Sequence, residues 1–451
     1  MKSTYRCRRS PVPLKGTFLS LWLVQNWDDA TWDKELTAYR EVGMEYVIFS
    51  PAVMLTKEGK MITYYPSAQA EFSEGYVGGD VFDRVLSNCA RYGLKCFLGT
   101  VQDDFWWELW WDREKTLAHY DWFVELGHKS NRVACELWNR YGSKYPGTFY
   151  GWYLIPEIWN FDLLKADAKG RNAVVRMLAD GFGVHLDYLS RLTPHAPALT
   201  SPFANINLGS VEDLEAQWCD MVRNIPFRRG DILCPQDSIG AGGTKLHQLD
   251  AVMQAYVKAA SMRDGMVLWA NNEDFDQTCW SSAMMDRFVR QMEITAKYAA
   301  VNITFAYNNY QSPVNVKPCF HEAMMRYEET GVLPCETPET PGELSAQKEG
   351  EGWRFAWKTG EKRLLVRAEI SARIPDMGGE GLLPEQTAVA ERLLGVVHCG
   401  FRNNAPEMPE LPDTFFWTPQ KEFSGCKAEI RVILYDVYGT PSLPASIRLT
   451  L

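Results

Sequence analysis

Apolar runs and helical repeats alternate along the first three quarters of the chain. The runs fall at residues 17–24, 45–50, 95–101, 149–155, 198–201, 231–235, 265–270 and 302–306. Each is followed by a stretch with apolar positions at helical spacing: 32–42, 80–93, 113–141, 172–191, 211–223, 246–263, 281–299 and 320–329. The second helix shows the local signals best. Asp80 stands at its start as an N-cap; Val81, Phe82, Val85, Leu86 and Cys89 lie on one face, and Gly93 closes it. The strand runs are continuous rather than alternating, as parallel strands covered on both faces should be. Eight strand–helix units therefore predict an α/β fold, a (β/α)8 TIM barrel. The competing arrangement is an open doubly wound sheet. It calls for a glycine-rich phosphate loop after the first strand, and here that strand runs into Val24, Gln25, Asn26 and Trp27 instead.

The pattern changes near residue 333. Three prolines and a glycine between Leu333 and Gly342 mark a linker. Beyond it the helical period is lost, and residues 353–357, 364–370, 429–435 and 446–451 read as short strands, with a turn at 436–441. The expected organisation is a barrel over 1–332, a Pro-rich linker at 333–342 and a small all-β sandwich of fibronectin or Ig type over 343–451. That last domain is read as a packing or accessory unit.

Composition narrows the partners. The 451 residues are 46% hydrophobic and 23% charged, an ordinary globular balance, and the formal charge is −10. Such a surface does not suit nucleic acid. No apolar run reaches membrane-spanning length. The 11 cysteines are odd in number and form no Cys-x-x-Cys, which fits reduced thiols in a cytoplasmic protein. The first nine residues are basic but lack the apolar core of a secretory signal as they stand. The 7 histidines include no i,i+4 pair, so neither a metal nor another cofactor is expected.

A TIM barrel carries its chemistry at the C-terminal ends of its strands. That rule selects Trp22 and Gln25 after strand one, and Gln102, Asp103 and Asp104 after strand three. It selects Glu157, Trp159 and Asn160 after strand four, and Gln236 and Asp237 after strand six. After strand seven it selects Asn271, Asn272 and Glu273, and after strand eight Tyr307 and Asn308. Four tryptophans within positions 106–111 add a possible stacking platform, or else pack on the barrel rim. Amides and carboxylates hydrogen-bond sugar hydroxyls, and aromatic faces cover the C–H side of a pyranose. Glu157 follows Pro156 and is flanked by Trp152, Tyr153, Ile155 and Trp159, so desolvation should keep it protonated near neutrality. Glu273 lies among amides that favour its ionised form. The structural readings are an ion pair for Glu157, a helix N-terminal acid for Glu273 and a turn residue for Asp237.

The run 149–157, the segment Pro235–Gly240 and the segment Trp269–Glu273 resemble a largely uncharacterised family of TIM-barrel proteins regarded as glycosidases. That family is found mainly in gut and soil bacteria, and the resemblance covers about residues 15–330. More distantly, acids after strands four and seven resemble the clan of retaining (β/α)8 glycosidases. That clan usually has Asn before its strand-four Glu; Pro156 stands there in this chain, leaving Gln236 or Asn272 to hold the sugar 2-hydroxyl. The resemblance implies a glycoside hydrolase with Glu157 as acid and Glu273 as nucleophile, acting on an oligosaccharide or glycoconjugate. Asp237 is the alternative second carboxylate. The rival readings are a non-catalytic carbohydrate-binding barrel and a metal-dependent hydrolase built on Asp103, Asp104 and Asp237.

Overall fold

Eight parallel strands close into a barrel in the computed structural model, which describes residues 10–109, 118–160, 168–375, 389–423 and 425–451. The strands are β1 (Leu14–Ser20), β2 (Tyr46–Ser50), β3 (Lys95–Gly99), β4 (Phe149–Leu154), β5 (Ala198–Thr200), β6 (Ile232–Leu233), β7 (Val267–Glu273) and β8 (Val301–Phe305). They pair in chain order, and β8 closes onto β1 through Gly16 opposite Ile303 and Thr17 opposite Thr304. The helices that follow them are α1 (Asp29–Glu41), α2 (Val81–Tyr92), α3 (Tyr120–Leu137), α4 (Ala168–Leu192), α5 (Val211–Asn224), α6 (Leu246–Ala260), α7 (Met285–Thr295) and α8 (Cys319–Thr330). The helix ends follow local chemistry. The Asp80 carboxylate accepts the Asp83 N–H at 2.9 Å, and Gly93 takes the left-handed conformation, φ 70°, that ends α2.

The barrel interior is filled, not hollow. Phe18, Ile48, Phe97, Tyr153, Leu199, Ile232, Cys234, Trp269 and Ile303 form one buried layer. Each lies on the inward parity of its strand, and side chains two residues on point the same way. The layer therefore fixes which residues continue upward into the mouth.

Several boundaries differ from the sequence reading. β1 stops at Ser20, and Leu21–Val24 is a helical turn. β7 runs three residues past its apolar stretch, because Asn271, Asn272 and Glu273 stay paired with Ile303, Thr304 and Phe305. An unforeseen three-stranded sheet, formed by 53–55, 61–63 and 101–103, decorates the rim. The start expected for the third helix falls at 113–117, outside the described residues.

The barrel lies in one compact unit, Val12–Thr278 with Phe288–Tyr310; the other contains Cys279–Arg287 and Gln311–Leu451. The second unit thus includes α8, which the sequence reading assigned to the barrel domain. It holds two antiparallel sheets. The first orders β9 (Gly342–Glu349), β10 (Gly352–Lys358) and β13 (Thr414–Trp417). The second orders β12 (Val389–His398), β11 (Leu365–Pro375), β14 (Lys427–Asp436) and β15 (Ala445–Thr450). The Phe415 ring of the first sheet sits over Gly395 of the second, where a Cβ would come within 2.4 Å of it. β9, β12 and β13 were not visible as strands in the sequence.

Among the described residues no helix is long and apolar enough to cross a membrane. Among the described residues, Cys89, Cys96, Cys135, Cys219, Cys234, Cys279, Cys319 and Cys399 are free thiols.

Candidate active site

Parity sorts the candidate residues. From the core layer, Tyr153 leads to Ile155, which packs against it, and Leu199 leads to Ser201; Glu157 and Gln236 follow just beyond the ends of β4 and β6. Trp269 leads to Asn271 and Glu273, and Ile303 to Phe305. These residues form the wall of the mouth. Asp237 and Asn272 have the opposite parity and turn outward. The Asp237 Oδ2 accepts Gln291 Nε2 of α7 at 2.6 Å, and its Oδ1 accepts the Ile239 N–H at 3.0 Å. The Asn272 Oδ1 accepts Thr295 Oγ1 at 2.9 Å, and its Nδ2 donates to Asn302 Oδ1 at 3.1 Å. Both side chains are bolts between strand and helix.

Glu157 is half-buried as a residue, and its carboxyl lies out of water. Burial pushes its pKa up to about 7, against an opposing hydrogen bond from the Gln236 side chain. Tyr153 lies against Glu157; burial, and then the Glu157 charge, raise its phenol well above the usual range.

Glu273 has a different setting. It is fully buried, and its Oε2 accepts the Ala241 N–H at 2.7 Å. Gly240 lies over it so closely that a Cβ there would meet Phe275 O at 2.4 Å and Glu273 Cβ at 3.0 Å. The Glu273 carbonyl accepts Gln291 Nε2 at 3.0 Å. Tyr310 stacks on Phe275 with centroids 5.4 Å apart. Burial first, then the charges of Asp274 and Glu273, hold its phenol protonated.

An aromatic chain links the two ends. Tyr153 meets Phe18 at 5.2 Å, Phe18 meets Phe305 at 5.4 Å, and Phe305 meets Phe275 at 6.3 Å between ring centroids. Phe305 is 42% exposed, so this ring offers an apolar face to solvent at the mouth, where it pairs in register with Glu273. Ser201, Phe305 and Tyr310 were not selected from sequence. Parity counted from Leu199 and Ile303 would have found the first two.

The remaining candidates divide. Trp22, 47% exposed, and Gln25 stand open after β1. Gln102 Nε2 donates to Asp104 Oδ1 at 2.9 Å on the rim sheet. Asp103 accepts the Phe105 N–H at 3.0 Å and Trp122 Nε1 at 3.0 Å, a structural cap. Trp159 is buried, 6.1 Å from the Phe203 ring, and Asn160 clasps Asn205 through both its amide atoms. Tyr307 is buried against Tyr39, its N–H donating to Thr17 Oγ1 at 2.8 Å; Asn308 is buried beside it. Of the four clustered tryptophans, Trp106 is buried and Trp107 half-buried; Trp110 and Trp111 lie outside the described residues. Among the described residues no group of three or more His, Cys, Asp or Glu is arranged to hold a metal ion.

The barrel is similar to that of a protein provisionally named an alpha-L-fucosidase from Bacteroides thetaiotaomicron VPI-5482. The match has a TM-score of 0.55 at 22% identity, over 71% of this chain and 97% of that one. A beta-galactosidase from the psychrophilic Marinomonas ef1 matches at a TM-score of 0.42 and 12% identity, over 65% of this chain and 54% of that one. The AHE enzyme from Alicyclobacillus herbarius matches at 0.40 and 11%, over 67% and 90%. At these identities the likeness is one of fold. No curated protein matches the chain. Over residues 14–317 the sequence matches a domain of unknown function, DUF4434, and the chain belongs to that family.

Proposed function

We propose that this barrel is a glycoside hydrolase acting on an oligosaccharide or glycoconjugate, with Glu157 as the general acid. What supports the reading is the place and setting of Glu157: a carboxyl just past the end of a barrel strand, its pKa pushed up to about 7 by burial. A general acid works best with a pKa near the working pH. Glu273 is the second carboxylate and, in the retaining form of the mechanism, the nucleophile. Its inward parity and the Ala241 N–H favour that ionised role. A separation of about 5 Å between the two carboxyls corresponds to retention, and about 6.5–9.5 Å to inversion. The exposed faces of Phe305 and Trp22 suit the C–H side of a pyranose.

A second reading, a carbohydrate-binding barrel without turnover, draws on the complete burial of Glu273. In it Glu273 only anchors the 240–241 loop.

The test is a panel of aryl glycosides, α-L-fucosides included, and natural glycans, with product stereochemistry followed by NMR. Glu157→Gln should lower turnover of substrates with poor leaving groups by about 10²–10⁴-fold. Wild-type binding without turnover across the panel, or an unimpaired E157Q enzyme, overturns the hydrolase assignment.

A further inference from the structure

The helices α3 and α4 meet tightly beside the end of β4. A Cβ on Gly127 of α3 would come within 2.7 Å of Gly181 O, and a Cβ on Gly181 of α4 within 2.1 Å of the Phe123 ring. Between this helix pair and the strand ends lies a small cavity of about 20 Å³. Thr100, Ser130 and His185 bring polar side chains to its otherwise apolar lining. Leu154, Ile155 and Pro156 bring to it the stretch of chain that leads into Glu157.

His185 is buried, and its tautomer follows from its partners. Asn131 Nδ2 donates to Val184 O at 3.1 Å, so Asn131 Oδ1 faces the ring, 2.7 Å from His185 Nδ1. An amide oxygen only accepts; Nδ1 therefore carries the proton, and Nε2 is a bare acceptor. Burial first, then the Arg228 charge, lowers the imidazole pKa to about 3, so the ring is neutral. Nε2 is buried and meets no donor among the described residues. A buried acceptor left in that condition is costly, so the occupant of the cavity should donate a hydrogen bond. Size decides what the donor is. A water needs at least roughly 10–15 Å³, and this space takes one water and no organic ligand. A buried water also needs about two to four polar partners, and three polar side chains line the space.

We propose that this cavity binds one structural water, which donates to His185 Nε2 and is shared with Thr100 and Ser130, and that His185 acts through it as a positioning residue for residues 154–156 and hence for Glu157. The water site stands on geometry alone; the positioning role takes its catalytic meaning from the glycosidase reading. The bound water completes the packing against Ile155 and Pro156. Losing it leaves a void there or lets the segment settle toward α4, and either displaces the acid that follows.

The test uses the whole chain. A high-resolution crystal structure should show a water within hydrogen-bond distance of His185 Nε2, and the imidazole ¹⁵N spectrum should show the Nδ1–H tautomer with Nε2 hydrogen-bonded. An empty cavity, or the opposite tautomer, overturns the water site. His185→Phe removes the acceptor and reaches into the space. His185→Gln loses the Asn131 contact equally but restores an acceptor near the Nε2 position. In H185F the Glu157 carboxyl ¹³C signal, assigned by its loss in E157Q, should shift, and kcat on poor leaving groups should fall about tenfold with KM little changed. H185Q should return both most of the way. An unmoved Glu157 signal in H185F, or an H185Q protein as impaired as H185F, overturns the positioning role. If H185F does not fold, Thr100→Val, which removes one partner of the water at constant shape, takes its place with the same expected direction. A shifted Glu157 signal in a protein that turns over no glycoside upholds the positioning role and removes the hydrolase reading, so the two failures are distinct.

Discussion

One glutamate follows the end of β4 and another closes β7, yet the two carboxyls live in opposite environments. Glu157 is partly open, desolvated by neighbouring side chains, and met by an amide from the end of β6. Glu273 is closed, met by a backbone N–H, and roofed by a glycine whose missing side chain leaves just enough room. Burial pushes the Glu157 carboxyl toward its neutral form. The difference teaches that wall chemistry, more than depth, separates a carboxyl near water from one built into its loop. Under the proposed function, that asymmetry is what an acid–base pair in one site requires.

The comparison breaks most visibly in stability. Glu273→Ala leaves the half-buried Ala241 N–H without its acceptor and opens a cavity under Gly240. Together these should cost about 3 kcal/mol. Glu157→Gln keeps shape and polarity in a half-open site and should stay within about 1 kcal/mol of wild type. Urea denaturation of the two variants gives the contrast directly. Equal losses would mean that Glu157 is as much a structural bolt as Glu273.

Gly240 sharpens the same point at a smaller scale. An alanine there brings its Cβ within 2.4 Å of Phe275 O and 3.0 Å of Glu273 Cβ. Backbone must shift, and Gly240→Ala should destabilise the protein by about 2 kcal/mol. The displaced loop should also carry the Ala241 N–H away from Oε2. Gly242→Ala meets no neighbouring atom, but sits at φ 73°, and should cost only about 1 kcal/mol. Thermal melts that rank the two variants the other way would deny that the loop is packed on Glu273.

Much of the frame was legible in the chain, because eight apolar runs and their helical partners repeat without interruption and Asp80 and Gly93 mark their own helix ends. The mouth was legible only as a list. Parallel strands buried on both faces give continuous apolar runs, so the sequence carries no alternation to say which residues face inward. Gln236 and Asp237 are neighbours, as are Asn271 and Asn272, and only the closed barrel separates mouth from outer wall. The polar end of β7 looked like a loop because hydrophobicity stops at Ala270, while its pairing with β8 continues to Glu273. The rim sheet was hidden by strands of three residues joined across nearly fifty positions. At β6 the strand stops before Pro235, whose nitrogen has no proton to donate to the ladder.

The finest test of the asymmetry is the pH dependence of stability. The Glu157 carboxyl has a folded-state value raised to about 7 from an ordinary 4.5. Between those values the folded protein binds more protons than the unfolded chain, so this group makes stability fall as pH rises. Below about 4.5 both states hold the proton and the group contributes nothing; above about 7 the full cost of a desolvated charge is present. Glu157→Gln removes the titration. The difference in midpoint temperature between E157Q and wild type should therefore drift in favour of the variant from pH 4.5 to 7 and then level off. Partial exposure of Glu157 makes this the smallest of the effects, since water screens part of the charge. A difference that stays flat across that window would mean that the wall does not desolvate Glu157, and the contrast with Glu273 would reduce to one of access alone.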